Sequence, residues 1–498
     1  MPNFPSGLLA SGDGVIGLGL IIAVVIADAC CHPRSLGEGR PRSLAGYLVL
    51  MAAAGVTLGA ALMITGALMT SAVMVVALAA LVALVSNIKN RVLGEPLVFS
   101  DFALIGAVFK HPHFYLSALR GWQVGVIACG IILLLVMLAL YSAPDLMPRL
   151  AGIVLTAGSA LALRLLLAAP MWDAIARHPD IHADARAHGL IPALLVHWGR
   201  WRTLPDPDPC HAEPLAGHGK PLVIIIQCES FTDPADLWGA DAPSLPGLAE
   251  ARRLARQAGR LHVSGFGAYT MRTEYGVLFG REEHEIGLRR FDPFLTAHRE
   301  VSYSLANRLH AAEWTSYFVH PHDLRFYGRD QLMRSAGFSA LIGDETFAPP
   351  PAGAGRYVSD AALTDAIIEL AGQSDGATLI YAVTIENHGP WPVSKGDQPG
   401  QSGAAYLNLL KNSDAMLTRL LAWGRRCDRP VTLCFFGDHR PSIPAVSEPA
   451  AERHTPYVVV DFPLEGAAAR PIPETVDLTP AQLHHLILDV IRSRGGQG

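Results

Sequence analysis

The sequence has few charged side chains and no marked excess of either sign. Asp, Glu, Lys and Arg make up 17% of the 498 residues, and the formal net charge is −5. A basic patch or stripe is the usual electrostatic footprint of a nucleic-acid-binding protein. The charge balance therefore gives no reason to expect nucleic acid as a partner.

Cysteine is also scarce, and its spacing is irregular. The seven cysteines include no Cys-x-x-Cys pair and no zinc-ribbon pattern, which excludes the common cysteine-based metal and redox motifs. Cys228 and Cys434 lie in apolar runs, where a buried free thiol is the expected state. Cys210 and Cys427 could pair in an oxidising compartment, and the sequence leaves that open.

Long apolar runs are abundant but confined to the first third of the chain. Five of them approach the roughly 20 residues that cross a bilayer, near 13–30, 44–65, 67–88, 123–142 and 150–170. The first run lacks the basic region of a signal peptide, so we expect it to remain as a span. Residues 1–172 are thus predicted to form a polytopic α-helical membrane domain of about five helices.

An amphipathic stretch and a proline-rich segment separate this part from the rest. Residues 173–220 contain the segment Leu204-Pro-Asp-Pro-Asp-Pro, which predicts a stiff, extended linker. The arginines after the first span and the basic residues after the third indicate that both loops face the cytoplasm. With five spans the same rule places the C-terminal part in the cytoplasm, and one miscounted span reverses it.

Residues 221–498 show the pattern of an α/β domain. Apolar, β-branched runs recur at Leu222–Ile226, Thr378–Thr384, Val431–Phe436 and Tyr457–Val460. Helix-like segments separate them, at 244–258, 360–372 and 405–424. This alternation predicts a mainly parallel sheet covered by helices on both faces.

Two of these predicted strands end in groups that bind metals. Glu229 follows the first run, and Asp438 and His439 follow the third. Functional groups in open α/β sheets gather at the carboxyl ends of strands, and carboxylate with imidazole suits Zn²⁺ or Mn²⁺. The alternative is structural, with Glu229 and Asp438 as caps or turn residues and His439 at the surface.

Three other stretches carry candidate catalytic or binding groups. A glycine-rich segment leads into a helix that Thr270 or Thr273 would open, either as a nucleophile or as an ordinary helix cap. His388 lies in a Gly-Pro turn after an apolar strand and could act as a general acid, bind phosphate or be structural. The stretch Phe318–Asp330 combines His, Arg and aromatic side chains and suits either phosphate and polyol recognition or an exposed charged loop.

In this order the motifs resemble those of the membrane-bound, sulfatase-like phosphoglycerol transferases, which include lipoteichoic acid synthases and the transferases acting on periplasmic glucans. The resemblance selects Thr270 over Thr273 as the nucleophile. The motifs that carry it are Gln227-x-Glu229-Ser230, Thr270-x-x-x-Glu274-Tyr275, His320 with Phe326-Tyr-Gly-Arg-Asp330, Asn387-His388 and Phe436-Gly-Asp-His439, and in the membrane part Asn87, Lys89 or Arg91, Glu95-Pro-Leu97 and Asp101.

The resemblance implies an alkaline-phosphatase/sulfatase-like fold and a defined site. It implies one divalent metal, Mn²⁺ in preference to Zn²⁺ or Mg²⁺, on Glu229, Thr270, Asp438 and His439. Thr270 and His388 would be catalytic, and substrate would be bound by His320, Tyr327, Arg329 and His388. The implied reaction moves phosphoglycerol from phosphatidylglycerol to a glycan or polyol-phosphate acceptor through a phospho-threonine. It takes place on the outer face of a bacterial inner membrane, which contradicts the arginine count.

Departures from the family pattern leave the acceptor open. Ala268-Tyr269 stands where lipoteichoic acid synthases tend to have Gly-Lys, and Tyr327 where they tend to have Trp. The stretch after Thr270 lacks the Cys/Ser-x-Pro-x-Arg motif of sulfatases proper, which argues against sulfate ester hydrolysis. Two alternatives remain: a phosphoethanolamine transferase acting on a lipid or glycan, and a catalytically inactive, sulfatase-like membrane sensor.

Overall fold

The computed structural model describes nine stretches of the chain, which divides into two units. The described residues are 12–33, 42–104, 121–211, 220–310, 312–351, 355–391, 401–450, 452–462 and 474–495. The first unit is Met1–Leu204 and the second is Pro205–Gly498. This division falls inside the predicted connector of 173–220, so the amphipathic stretch belongs to the first unit and the proline-rich segment to the second.

Among the described residues of the first unit, five helices are long and apolar enough to cross a membrane, as predicted. They are α1 (Gly12–Ala29), α2 (Leu44–Thr65), α3 (Leu68–Leu93), α4 (Gly121–Tyr141) and α5 (Leu146–Ala168). The apolar block that spans α2 and α3 is divided at Gly66, which has a positive φ of 66° and donates its N–H to the Leu62 carbonyl at 2.9 Å. Glycine adopts this conformation without strain.

Glycines also set the distance between α2 and α5. A Cβ on Gly59 would lie 2.7 Å from the Gly152 carbonyl oxygen, and a Cβ on Gly152 would lie 2.7 Å from the Gly59 oxygen. The two backbones are therefore in direct contact. Small residues allow this kind of packing between apolar helices, where no water is expelled to drive association.

The amphipathic stretch forms three short helices, α6 (Asp173–Arg177), α7 (Ile181–His188) and α8 (Leu190–Trp201). A buried ion pair between Asp28 and Arg42 joins the end of α1 to the residues before α2. Asp28 also accepts the N–H of Ile191 at 3.0 Å, and Ser43 contacts His188 at 2.6 Å. Polar groups thus hold these short helices on the apolar ones.

A second polar cluster lies after α3, in the segment that carries the Asn…Glu-Pro-Leu…Asp pattern. Lys89 donates to the Pro96 carbonyl at 2.9 Å and pairs with Glu95 and Asp101. Asp101 also accepts the N–H of Val98 at 2.8 Å. The charges of this motif therefore satisfy one another and close the turn between α3 and the 3₁₀ segment Phe99–Leu104.

The described residues of the second unit form a sheet of eight strands. In chain order these are β1 (Leu222–Cys228), β2 (Gln257–His262), β3 (Thr315–Val319), β4 (Ala340–Ile342), β5 (Thr378–Val383), β6 (Val431–Gly437), β7 (His454–Phe462) and β8 (Glu474–Thr475). Their order in the sheet is β4-β3-β5-β1-β6-β7-β2-β8. The first five strands of this order run parallel to one another, whereas β7 is antiparallel to both β6 and β2.

Helices complete the α/β architecture that the sequence predicts. They are α9 (Ala235–Trp238), α10 (Pro246–Leu254), α11 (Thr270–Phe279), α12 (Glu283–Ile286), α13 (Pro293–Thr296), α14 (Leu305–His310), α15 (Arg329–Ser335), α16 (Asp360–Gln373), α17 (Gln401–Gly424) and α18 (Pro480–Gly495). The core is formed by apolar side chains of α10, α16 and α17 against β1, β5 and β6.

The helix predicted over 244–258 is too long. It ends at Leu254, and the strand β2 begins at Gln257. Gln257 and the five residues after it pair in antiparallel register with β7. These residues have no apolar alternation that predicts a strand, and the pairing with a distant segment decides their conformation.

All seven cysteines are free thiols in the structure. Cys228 and Cys434 are fully buried in β1 and β6, as their positions predict. Burial raises the pKa of both thiols, which makes them inert core residues.

Candidate active site

Neighbouring strands deliver the three candidate metal ligands to one point. In the register of β1 and β6, Cys228 lies beside Gly437, so Glu229 and Asp438 follow the two strands at the same edge. The Nε2 of His439 lies 3.6 Å from a Glu229 oxygen and 3.6 Å from an Asp438 oxygen. One ligand atom of each residue lies within 4.8 Å of the others, and all three residues are buried.

Gly437 allows the turn after β1 to approach the end of β6 closely. A Cβ at this position would lie 1.9 Å from the Phe231 carbonyl oxygen, a distance that no side chain can occupy. Ser230, just after Glu229, has a positive φ of 53°. Strained backbone of this kind is often found at functional sites, where the surrounding fold holds it in place.

The Asp438 carboxylate has one oxygen bound by the protein and one that is not. Its Oδ1 accepts the N–H groups of Ser230 and His439, both at 2.8 Å. Its Oδ2 is buried and has no hydrogen-bond partner among the described residues. A buried carboxylate oxygen without a partner is costly, and a cation among these three residues would satisfy it.

The His439 ring is oriented with Nε2 towards the Glu229 and Asp438 carboxylates. Its Nδ1 lies 3.1 Å from the Arg440 carbonyl oxygen, which requires the proton on Nδ1 and leaves the lone pair on Nε2. A hydrogen bond of this type commonly fixes the tautomer of a metal-binding histidine. The donor set therefore fits a divalent ion such as Mn²⁺ or Zn²⁺.

Glu229 is held by hydrogen bonds on both sides. Its carboxylate accepts the Ser230 hydroxyl at 2.8 Å, and its N–H donates to the Thr384 hydroxyl at 2.9 Å. Burial and the adjacent charge of Asp438 raise the pKa of Glu229 to about 8. Two buried carboxylates this close repel each other when both are ionised, and a divalent cation would remove that repulsion.

The geometry separates Thr270 from Thr273. The Thr270 hydroxyl lies 3.3 Å from Nε2 of His439, one of the three candidate metal ligands. The Thr273 hydroxyl is buried and donates to the Asp438 carbonyl at 2.7 Å. Thr273 therefore has a structural partner, and Thr270 is the hydroxyl that lies at the candidate metal centre.

Thr270 is also the first residue of α11, which is buried along its whole length after that residue. The preceding Tyr269 has a left-handed conformation with φ 73°, and Arg272 stacks on its ring at 3.9 Å. The unpaired N–H groups at a helix start attract anions. A phosphoryl group at the Thr270 hydroxyl would lie at this end of the helix.

Two predicted histidines line the same edge of the sheet. His320 follows β3 and donates Nδ1–H to the Val383 carbonyl at 3.0 Å, and His388 follows β5 and donates to the Gly389 carbonyl at 2.6 Å. Burial lowers the pKa of both rings, that of His320 strongly. Both rings are therefore neutral near pH 7, with the lone pair on Nε2, and each can accept a proton or a hydrogen bond there.

Arg329 and Tyr327 lie together next to these histidines. The Arg329 guanidinium is 3% exposed and lies 5.4 Å from the Tyr327 ring centre. Tyr327 has a positive φ of 60°. The alternative interpretation of this stretch, an exposed charged loop, is therefore wrong for Arg329.

Two further side chains, His322 and Tyr357, lie in this region and were not predicted as site residues. The His322 ring lies 5.7 Å from that of His320 and 6.1 Å from that of Tyr357, which in turn lies 5.7 Å from His388. His322 stands two residues after His320, and that spacing was a usable signal. Tyr357 precedes α16 and no local pattern marks it, because only the fold brings it to the site.

Two known proteins are similar to this chain in sequence. The chain is 29% identical over 431 residues to "Capsular polysaccharide biosynthesis protein RkpI" of Rhizobium meliloti (strain 1021), covering 80% of this chain and 78% of that protein. It is 29% identical over 240 residues to "Putative cyclic beta-1,2-glucan modification protein" of the same strain, covering 46% of this chain and 37% of that protein.

Among solved structures, the phosphoglycerol transferase GacH of Streptococcus pyogenes matches 58% of this chain and 81% of its own, with 14% identity and a TM-score of 0.44. The profile of the Sulfatase family matches residues 221–487, which is more than half of the sequence. This match covers every strand and every candidate site residue described above. The chain therefore belongs to the Sulfatase family.

Proposed function

We propose that this protein transfers a phosphoglycerol group from phosphatidylglycerol to a hydroxyl of a glycan or glycerophosphate-polymer acceptor. The observation that carries the proposal is the Thr270 hydroxyl, which stands at the start of a buried helix, 3.3 Å from His439 in the Glu229–Asp438–His439 cluster. A hydroxyl at that place suits attack on a phosphodiester.

Thr270 is the proposed nucleophile, as the resemblance to the phosphoglycerol transferases implies. Its oxygen forms a bond to phosphorus while the bond from phosphorus to the diacylglycerol oxygen breaks, and the hydroxyl proton balances the proton that diacylglycerol takes up. A divalent metal on Glu229, Asp438, His439 and Thr270, Mn²⁺ by the same resemblance, would lower the pKa of the hydroxyl and offset the charge on phosphate.

The remaining residues bind the transferred group and complete the cycle. Arg329 offers a planar cation to the phosphoryl oxygens, and His320 and Tyr327 lie where the glycerol would be bound. In the second half of the reaction, Nε2 of His388 accepts the proton of the acceptor hydroxyl as that hydroxyl attacks the phospho-threonine. The bond from phosphorus to the Thr270 oxygen breaks, this oxygen takes up the proton that His388 accepted, and the phosphoglycerol group remains on the acceptor.

Two features support a lipid donor and a glycan acceptor. The five apolar helices of the first unit are long enough to anchor the protein in the bilayer that holds phosphatidylglycerol. The two Rhizobium relatives are described by their names as proteins of capsular polysaccharide biosynthesis and glucan modification. We place the protein in the bacterial inner membrane with the second unit on the outer face, as the resemblance to the phosphoglycerol transferases implies.

The test is the intact mass of the purified full-length protein after incubation with phosphatidylglycerol and Mn²⁺. The expected result is a glycerol-phosphate adduct on wild type that is lost in Thr270→Ala and retained in the matched control Thr273→Ala. An adduct that survives in Thr270→Ala would refute the nucleophile. An adduct from phosphatidylethanolamine alone would establish the phosphoethanolamine alternative. If no adduct forms and no diacylglycerol is released from either lipid, the inactive sensor is the better interpretation.

A further inference from the structure

Glu274 lies one turn after Thr270 on α11, but its carboxylate binds Arg329 instead of the metal cluster. The Nε of Arg329 donates to one Glu274 oxygen at 3.1 Å, and Nη2 donates to the other at 2.8 Å. The Glu274 side chain is fully buried and that of Arg329 is 3% exposed. Two parallel hydrogen bonds of this kind fix the plane of the guanidinium as well as its position.

Glu274 is in turn held from the centre of the sheet. Gln227, two residues before Glu229 on β1, lies 3.3 Å from a Glu274 oxygen through its Nε2. The Tyr381 hydroxyl on β5 donates to the Gln227 side-chain oxygen at 2.6 Å. The orientation of Arg329 is therefore set by a chain of buried polar groups that starts on the two central strands.

One end of the guanidinium remains for a ligand. Within the described part of the chain, Arg329 makes its hydrogen bonds through Nε and Nη2, and none through Nη1. Its positive charge also lowers the pKa of the His320 and His388 rings, in addition to the larger effect of their burial.

We propose that Glu274 is a positioning residue, which holds the Arg329 guanidinium so that Nη1 faces the phosphoryl group bound at Thr270. This inference rests on the phosphate-binding role proposed for Arg329. Glu274 itself touches neither substrate nor metal. Its action is through the geometry of Arg329.

Positioning and simple electrostatics predict opposite effects for the same substitution. Glu274→Gln removes a negative charge from the site and leaves Arg329 uncompensated, so charge alone predicts tighter binding of a phosphate anion. If Glu274 acts by positioning, the loss of the two-pronged contact lets the guanidinium rotate, and binding weakens. The direction of the change therefore distinguishes the two roles.

The experiment is isothermal titration of the Mn²⁺-loaded full-length protein in detergent with sn-glycerol-1-phosphate. We expect both Glu274→Gln and Arg329→Ala to weaken binding about tenfold, the scale of a charge-assisted hydrogen bond. The double variant should bind no more weakly than Arg329→Ala, because both changes remove the same contact. Mn²⁺ affinity should be unchanged in Glu274→Gln.

Glu300→Gln is the matched control. Glu300 is also fully buried and paired with two arginines, Arg289 at 3.1 Å and Arg281 at 3.3 Å. The substitution breaks these buried ion pairs and should therefore lower the melting temperature. Because Glu300 lies outside the candidate site, the binding of glycerol phosphate should not change.

The outcomes separate this inference from the proposed function. Unchanged or tighter binding in Glu274→Gln, with weaker binding in Arg329→Ala, would overturn the positioning role alone. Unchanged binding in Arg329→Ala, or no binding by wild type, would overturn the phosphate-binding role of Arg329 and the inference together.

Discussion

The pKa of Glu229 predicts that divalent metal binding stabilises this protein strongly at pH 8 and weakly at pH 6. Burial and the neighbouring Asp438 raise that pKa from 4.5 to about 8. Between these values the folded, metal-free protein holds a proton that the unfolded chain has lost. Its stability therefore falls as pH rises from about 4.5 to about 8.

Metal binding reverses this dependence, since a cation at the cluster requires Glu229 to be ionised. Glu229 is about half protonated at pH 8 and almost fully protonated at pH 6, so the apparent affinity for the metal falls about fiftyfold between these pH values. A Mn²⁺ concentration of 100 times Kd at pH 8 contributes about 2.7 kcal/mol of stability, whereas the same concentration at pH 6 is about twice Kd and contributes about 0.6 kcal/mol.

The assay is thermal unfolding of the metal-stripped full-length protein in detergent, followed by intrinsic fluorescence with and without Mn²⁺. At roughly 2 °C per kcal/mol for a domain of this size, the expected gain in Tm is about 5 °C at pH 8 and about 1 °C at pH 6. Asp360, whose pKa burial and Glu386 raise to about 7, affects both curves and cancels in their difference. An equal gain at the two pH values would refute the assignment of Glu229 as the protonated ligand.

Three other substitutions test the structure. Thr273→Val removes a buried hydrogen bond of 2.7 Å and should lower stability by about 1–3 kcal/mol in chemical denaturation while the adduct on Thr270 still forms; loss of the adduct would contradict its structural role. Gly437→Ala should abolish Mn²⁺ binding, measured by metal content, because its Cβ cannot fit. Asp28→Asn leaves Arg42 buried without its ionic partner and should destabilise the helical unit by about 3 kcal/mol. Limited proteolysis in detergent measures this effect, and an unchanged rate of cleavage would contradict the stabilising role of the ion pair.

Much of the architecture follows from local sequence patterns. The five apolar runs are visible because a membrane span needs a long, uninterrupted apolar segment. The strands β1, β5 and β6 are visible because strands buried on both faces are continuous runs of apolar and β-branched residues. Glu229, Asp438 and His439 could be grouped in advance, since parallel strands bring their carboxyl ends to one edge of the sheet.

The last two strands at one end of the sheet, β2 and β8, could not be predicted in this way. β2 is partly exposed and reads Gln-Ala-Gly-Arg-Leu-His, so it has no apolar run. It is a strand because β7 offers it a ladder of backbone partners. β8 has only two residues and pairs with β2, so its conformation also depends on segments far away in the sequence.

For the site itself, the sequence by itself determined which chemical groups follow the central strands. Tertiary structure decided which of them meet and in what state. From the residues alone Thr270 and Thr273 are equivalent hydroxyls near a helix start, and they differ only because the fold gives Thr273 the Asp438 carbonyl and Thr270 the imidazole of His439. The ionisation of Glu229 and the orientation of Arg329 depend on burial and on partners from other segments, and these distances exist only in the folded chain.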